Sequence, residues 1–314
     1  MMSAMLALGI LLAATTAAPS CPSLPADLAE LLPTTVTTAV ALDVDAFTKT
    51  AVGKAVLPAL HGDLQLSEAL EILGDCGITL ERTYSLLAAR DDDDGRLVLV
   101  QGHQLGEDAT LACLGHELRA RNDGVDPWTR SQGAACIDRL ELVDGSRAWV
   151  ANDYTLIWAR GDDFAASIEG TLTGARAHVV PPRLEPVLRR TDRKAQVWVA
   201  ALLDLDDRRT LPGSWPRDAT SLGASIDFSS GLAASLTFGA PDVATRVSLR
   251  ERVIADVLTL GARLDEYGVE HELRERARVG IIDDHVALEL ELDAGELLQI
   301  REHIGERIVG RGVL

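Results

Sequence analysis

Apolar and polar residues form short strand-length runs that come in pairs, and a longer run with helical spacing follows each pair. The first pair covers residues 84–89 and 96–101 and is joined by Asp91-Asp92-Asp93-Asp94-Gly95. An Asp-Gly step between two such runs is typical of a β-hairpin. A helix over residues 107–121 is predicted to follow, because two acidic side chains begin it and stabilise its positive amino-terminal end.

The same unit returns three times along the chain. The predicted elements are strands 136–143, 147–152 and 154–159 before a helix over 162–172, strands 222–228 and 232–238 before a helix over 242–267, and strands 278–282 and 286–292 before a helix over 295–307. Residues 286–292 alternate apolar and polar side chains, which predicts a sheet covered by helices on one side. Residues 197–203 are apolar on both faces and predict a central, buried strand.

Two single strands that resemble each other precede these units. The first ends in Leu42-Asp43-Val44-Asp45 and the second in Leu203-Asp204-Leu205-Asp206. We therefore predict an α+β fold of two tandem, duplicated halves, each built of antiparallel hairpins followed by a helix packed on the sheet. Extra helices are expected near residues 50–59 and 66–74 of the first half.

Pro181-Pro182 and Pro186 mark the predicted boundary between the halves, since neighbouring prolines force extended backbone and interrupt both strand and helix. The predicted domains are residues 21–180 and 181–314, after a leader at 1–20.

The leader is predicted from the apolar run between Met5 and Ala18, which is too short to span a bilayer but fits the core of a secretion signal. Small residues allow cleavage after Ala17 or just before Cys21. Cleavage just before Cys21 would allow a lipid anchor on Cys21. However, Ala18 occupies the position three residues before the cysteine, where lipoprotein signals normally have a Leu-like residue. We expect an exported protein in the periplasm, cell envelope or medium, with no integral membrane segment after cleavage.

Composition supports a folded, acidic protein. The hydrophobic fraction of 47% excludes wholesale disorder, and the formal net charge of −18 repels phosphate backbones, so nucleic acid is not expected as a partner.

The four cysteines are Cys21, Cys76, Cys113 and Cys136, and an even number in an oxidising compartment indicates disulfides with three possible pairings. Cys76 and Cys113 are the preferred pair, because a helix ends near Cys76 and the next helix, after one hairpin, carries Cys113. Their bridge would join two helices on one face of the sheet.

Two groups of acidic side chains are candidate cation sites. Asp91 to Asp94 do not fit the spacing of an EF-hand loop and indicate a solvated hairpin tip. Asp43, Asp45, Asp204 and Asp206 would form a cation site if the two Asp-x-Asp strand ends converged, although strand-end turns explain the same residues.

The histidine and tryptophan patterns also favour structural roles. His116 and His271 each begin His-Glu-Leu-Arg, which lacks the second histidine of a zinc protease helix. The five tryptophans could line a sugar or peptide groove, but apolar strand positions indicate core packing for Trp149, Trp158 and Trp198, whereas Trp128 and Trp215 lie beside prolines as loop anchors or partner contacts.

A leader, a strand ending in Asp43-x-Asp45, a helix ending in Cys76-Gly77, a hairpin and a helix bearing Cys113 together resemble uncharacterised exported proteins of myxobacteria and similar bacteria. The resemblance covers most of the mature chain. It implies export and a duplicated α+β architecture, and because the group has no assigned activity it implies no site residue.

We accordingly expect a non-enzymatic binding or structural module of the envelope or secreted fraction, with an unknown macromolecular partner and with no catalytic residue, metal or cofactor. The alternative is a secreted hydrolase whose site is not recognisable from sequence, since catalytic triads are spatial arrangements.

Overall fold

The computed structural model describes residues 24–54, 71–132, 137–211, 213–266 and 273–298. Its strands are β1 Thr38–Asp43, β2 Thr83–Arg90, β3 Arg96–Gly102, β4 Trp128–Gln132, β5 Asp138–Leu142, β6 Arg147–Asn152, β7 Thr155–Arg160, β8 Val197–Leu202, β9 Ser221–Asp227, β10 Gly231–Gly239, β11 Arg278–Ile282 and β12 His285–Asp293. They form a 12-stranded antiparallel sheet in the order β11-β12-β10-β9-β8-β1-β2-β3-β7-β6-β5-β4.

Helices connect these strands. They are α1 Val44–Lys49, α2 Asp108–Arg121, α3 Asp162–Leu172, α4 Glu185–Leu188, α5 Asp207–Thr210, α6 Val243–Glu266 and α7 Leu273–Arg276, with 3-10 turns at Leu28–Leu31, Leu80–Arg82 and Trp215–Arg217. Residues 51–54, 71–75 and 294–298 are also helical and border undescribed segments. Within the described ranges, no helix combines the length and apolarity needed to cross a bilayer.

The mixed helix and strand class is confirmed, and so are the four hairpins predicted from turn residues. Each forms an antiparallel pair in the sheet: β2 with β3, β5 with β6, β9 with β10 and β11 with β12. The helices predicted over 162–172 and 242–267 are observed as Asp162–Leu172 and Val243–Glu266.

The strand predicted from residues 197–203 lies at the centre of the sheet, as expected. It is β8, and it pairs with β1 in an antiparallel register in which Ala39 lies opposite Ala200. Both alanine side chains are completely buried.

The back face of the sheet is the one that carries Ala39, Leu87 and Ile157, and it holds the largest hydrophobic cluster. Side chains from the turn Leu28–Leu31, from α3 and from α4 pack onto this face. Burial of each large aliphatic side chain contributes about 1.5–3 kcal/mol, so this layer is a major source of stability.

Helices also lie on the opposite, front face, which corrects the expectation of helices on one side. Leu111 of α2 packs against Leu140 and Val150, and Leu249 of α6 packs against Phe238 on the far side of the sheet. The alternation of apolar and polar residues in the edge hairpin does not reveal the second layer of helices. The strands that indicate two layers are the central ones, which are apolar on both faces.

The two edges of the sheet differ. Edge strand β4 was not predicted, since only Trp128 was interpreted, as a loop anchor or partner contact; the strand is polar and exposed except at Trp128. Its Arg130 pairs with Asp108 of α2 at 2.6 Å and with Asp138 of β5. At the other edge, β11 exposes Ile281 by 41% and Ile282 by 48%.

Several predictions fall on undescribed residues. They are the leader, Cys21, Cys136, His271, most of the extra helices near 50–59 and 66–74, and residues 299–307 of the predicted closing helix.

Candidate ligand pocket

A pocket of about 570 Å³ opens on the front face near the centre of the sheet. Its floor is a row of side chains from four neighbouring strands: Val40, Ala88, Val98 and Trp158. Each is the direct cross-strand neighbour of the next. The same strands send their alternate side chains into the back-face core, so the register of that core positions the pocket floor.

The rim of the pocket is formed by the β2–β3 hairpin and by the turn that leads into α5. Arg90 at the end of β2 pairs with Asp207 of α5 at 2.7 Å. Arg96, its neighbour on β3, lies 3.7 Å from Asp94, and the Asp94 side chain is 96% exposed. The Arg96–Asp94 pair is therefore the looser of the two and the more accessible to a ligand.

Asp204 caps the first turn of α5 at the pocket rim. Its Oδ1 accepts hydrogen bonds of 2.7 Å from the backbone N–H groups of both Asp206 and Asp207. The bond from Asp207 is the main cause of a lowered pKa for Asp204, to which the positive charges of Arg90 and Arg208 add. The carboxylate is therefore ionised at neutral pH and is not available as a proton donor.

Trp158 was predicted as a core residue, but it is only partly buried and its ring lines the pocket. Its indole Nε1 donates to Ser146 Oγ at 2.8 Å, and Ser146 Oγ donates to Asp144 Oδ1 at 2.6 Å. The core prediction holds for Trp149 and Trp198, which are 2% and 5% exposed. The difference arises because residue 158 lies on the front face, whereas Trp149 and Trp198 lie on the back face.

Turn formation explains the acidic residues Asp91 to Asp94 at the tip of the β2–β3 hairpin. Asp91 Oδ1 accepts from the backbone N–H groups of Asp93 and Gly95 at 2.9 and 2.7 Å, and Asp92 pairs with Arg183 at 3.3 Å. Within the described part of the chain, no group of His, Cys, Asp and Glu side chains has a metal-binding arrangement.

The idea that the two Asp-x-Asp strand ends converge is wrong. Because β1 and β8 are antiparallel, Asp43 and Asp204 lie at opposite ends of the central strand pair. Each instead caps a helical turn, since Asp43 Oδ1 accepts from the backbone N–H of Ala46 at 2.8 Å, at the start of α1. Local capping accounts for the shared motif.

Cys76 and Cys113 lie in disulfide-bonding geometry, as the preferred pairing predicted, with their Cα atoms 5.5 Å apart. The pair joins the helical residues 71–75 to the middle of α2. His116, three residues farther along α2, is exposed, as expected for a polar helix face.

No known protein family matches the sequence, and no curated protein matches it. A solved structure, described as "Structure of crystal form IV of TP0453", is similar with a TM-score of 0.48 and 10% sequence identity. The likeness covers 86% of this chain and 94% of that chain.

Proposed function

We propose that this chain is a non-enzymatic binding module and that the front-face pocket receives the apolar part of a small amphipathic ligand. The observation that carries the proposal is the row of partly exposed apolar side chains, Val40, Ala88, Val98 and Trp158, beneath a rim of charged groups. Ligand sites are typically concave, about 300–1,000 Å³ in volume, and apolar with a few polar groups that fix orientation. The pocket volume of about 570 Å³ lies within that range.

The rim chemistry favours recognition over proton transfer. Arg90 is held by Asp207, and Asp204 is ionised and engaged by backbone N–H groups. The exposed Arg96 and Asp94 supply one donor group and one acceptor group to a ligand. A ligand with an apolar body and a polar end that both accepts and donates hydrogen bonds fits this arrangement.

The neutral fluorescent probe N-phenyl-1-naphthylamine tests the pocket. We expect saturable binding with energy transfer from Trp158, and a loss of affinity of at least about tenfold in Ala88→Leu, which fills the floor with a larger apolar side chain. Val143→Leu is the matched control, since Val143 is 65% exposed and lies outside the pocket.

The pocket assignment would be overturned if the probe does not bind. It would also be overturned if Ala88→Leu leaves the affinity for the probe unchanged and Trp158→Phe keeps the full energy transfer. Labelling of one serine by a fluorophosphonate, abolished by replacing that serine, would replace the binding module with the hydrolase alternative.

We propose further that the protein is exported, as the leader predicts. The Cys76–Cys113 pair supports this, because disulfides persist mainly in oxidising compartments. The intact mass of the protein recovered from the producing cell tests both export and anchoring: loss of residues 1–20 supports cleavage, and an added diacylglyceryl mass would place a lipid on Cys21. The resemblance to exported myxobacterial proteins stays a prediction.

The strand order supports the proposal that the two halves arose by duplication. On each side of the centre, a single strand is followed outward by a hairpin, and the last strand of the half returns to lie beside that hairpin. This relates β1, β2, β3 and β7 to β8, β9, β10 and β12, with the β4–β5 hairpin as an insertion. Ala39 would then lie opposite its own counterpart, Ala200.

A further inference from the structure

The outer side of β11 carries main-chain groups that face away from the sheet. Ile282 and His285 flank a two-residue turn in which Asp283 has a φ of 49°. In a hairpin of this kind the flanking residues are hydrogen-bonded to each other, and the bonding then alternates along the strand. The N–H and C=O groups of Ile282 and Gly280 therefore face β12, whereas those of Val279 and Ile281 face outward.

The outward edge is bordered by apolar side chains. Val279 and Ile281 share the front face with α6, whose Leu258 is 46% exposed. Beside Val279 lies a small cavity of about 190 Å³, lined by Ile254, Val257, Leu258, Ala277 and Val279. A cavity of this size accepts one aliphatic side chain.

Opposite charges stand at the two ends of this edge. Arg278 begins β11 and Asp283 follows its last residue, and both are exposed. Neither forms an ion pair with any other residue of the described chain. An antiparallel copy of the same strand would bring the basic end of one beside the acidic end of the other.

We propose that a second copy of this chain pairs with β11 edge to edge, antiparallel and centred on Gly280. In this register Val279 lies opposite Ile281 of the partner subunit, and the outward main-chain groups of both strands form four hydrogen bonds. Ile281 of the partner subunit then borders the cavity beside Val279, and Arg278 lies near Asp283 of the partner subunit. The contact is self-complementary, as a two-fold interface requires.

Gly280 gives a direct test, because it faces Gly280 of the partner subunit across the two-fold axis. A Cβ added at Gly280 would have no neighbour within 4 Å, so Gly280→Cys is accommodated. Residues directly opposite in a non-hydrogen-bonded pair have Cα atoms about 4.5 Å apart, within the range that a disulfide spans. We expect Gly280→Cys to form a covalent dimer on mild oxidation, and the control Val143→Cys to stay largely uncrosslinked.

Sedimentation of the purified chain is the second test of the proposal. We expect a reversible dimer whose dissociation constant rises at least about tenfold in Ile281→Lys, because the substitution places a charge between the apolar side chains of the two β11 strands. Val143→Lys should leave the dissociation constant unchanged. A monomer at all concentrations together with no Gly280→Cys dimer would overturn the proposal. So would a dimer insensitive to Ile281→Lys, since it would form through another surface. Probe binding in the front-face pocket is independent of both dimerisation tests.

Discussion

At the scale of single residues, the hydrogen-bonded chain from Trp158 to Ser146 to Asp144 orients the aromatic part of the pocket floor. Sequence reasoning could identify Trp158 as an apolar strand residue, but not as a pocket residue. Which face it lines depends on the pairing of β7 with β3, and that register is set by contacts distant in sequence.

Replacing Ser146 with Ala should loosen the Trp158 ring. Ser146 is 1% exposed, so the substitution leaves the indole N–H without its acceptor in a site with little access to water. We expect the free energy of unfolding to fall by about 1–3 kcal/mol, and affinity for the naphthylamine probe to fall with it. Urea denaturation measures the first effect. Ser131→Ala, at an exposed position, is the control and should change neither.

The stability supplied by Asp144 should depend on pH in a defined direction. The hydrogen bond from the Ser146 hydroxyl is the main cause of a lowered pKa for Asp144, with the Ser146 backbone N–H next. A lowered folded-state pKa stabilises the protein above the unfolded value of about 3.9 and ceases to do so as the pH falls through the folded value.

We therefore expect Asp144→Asn to lower the melting temperature by a constant amount between about pH 7 and 5. That difference should begin to shrink below about pH 4 and disappear as the pH falls through the lower folded-state pKa, where the Asp144 carboxylate of the unsubstituted chain is protonated. A difference that grows on acidification would contradict the assignment.

At the scale of elements, the turn residues predicted the hairpins well, because short sequences such as Asp-Gly and Asp-Asp-His separate clear apolar runs. The helices of 11 and 24 residues were also predictable, since Asp162 and Asp163 begin the first and Asp242 immediately precedes the second. Strand β4 was missed because four of its five side chains are exposed and polar, so it carries no periodic apolar signal. Only its pairing with β5 makes it a strand.

The Cys76–Cys113 pair is expected to stabilise these elements mainly through the unfolded chain. The two cysteines are 37 residues apart, and closing a loop of that length contributes about 4 kcal/mol in the chain-entropy model. The double variant Cys76→Ser and Cys113→Ser should lose about that much in urea denaturation, and reduction of the unsubstituted chain should give a similar loss. A loss under about 1 kcal/mol would show that the pair does not bridge in solution.

At the scale of the whole molecule, the back-face core extends across the predicted boundary near residue 181. Leu184, Leu188 and Trp198 belong to the same buried cluster as Leu87 and Ile157. The sequence indicates where the chain is extended, at its prolines, but not which side chains meet in space. The antiparallel pairing of β1 with β8 was likewise not predictable, because nothing local to either strand specifies the other as its neighbour.

This shared core predicts that the halves do not fold alone. A fragment of residues 21–180 would expose the part of the cluster that Leu184, Leu188 and Trp198 cover, so we expect it to be unfolded or aggregated. Mixing it with a fragment of residues 181–314 should restore β-sheet circular dichroism and a defined size. Cooperative unfolding of the first fragment by itself would contradict this expectation and favour two independent domains.

The ion-paired Arg130 on β4 has a consequence for growth of the sheet. A protein with two bare edges could add copies at both ends and extend into a fibre, which is the hazard of any open sheet. Here Arg130 is held by Asp108 and Asp138 along one edge. Charged and polar side chains along this edge disfavour docking of another strand, so we expect association through β11 to stop at two copies.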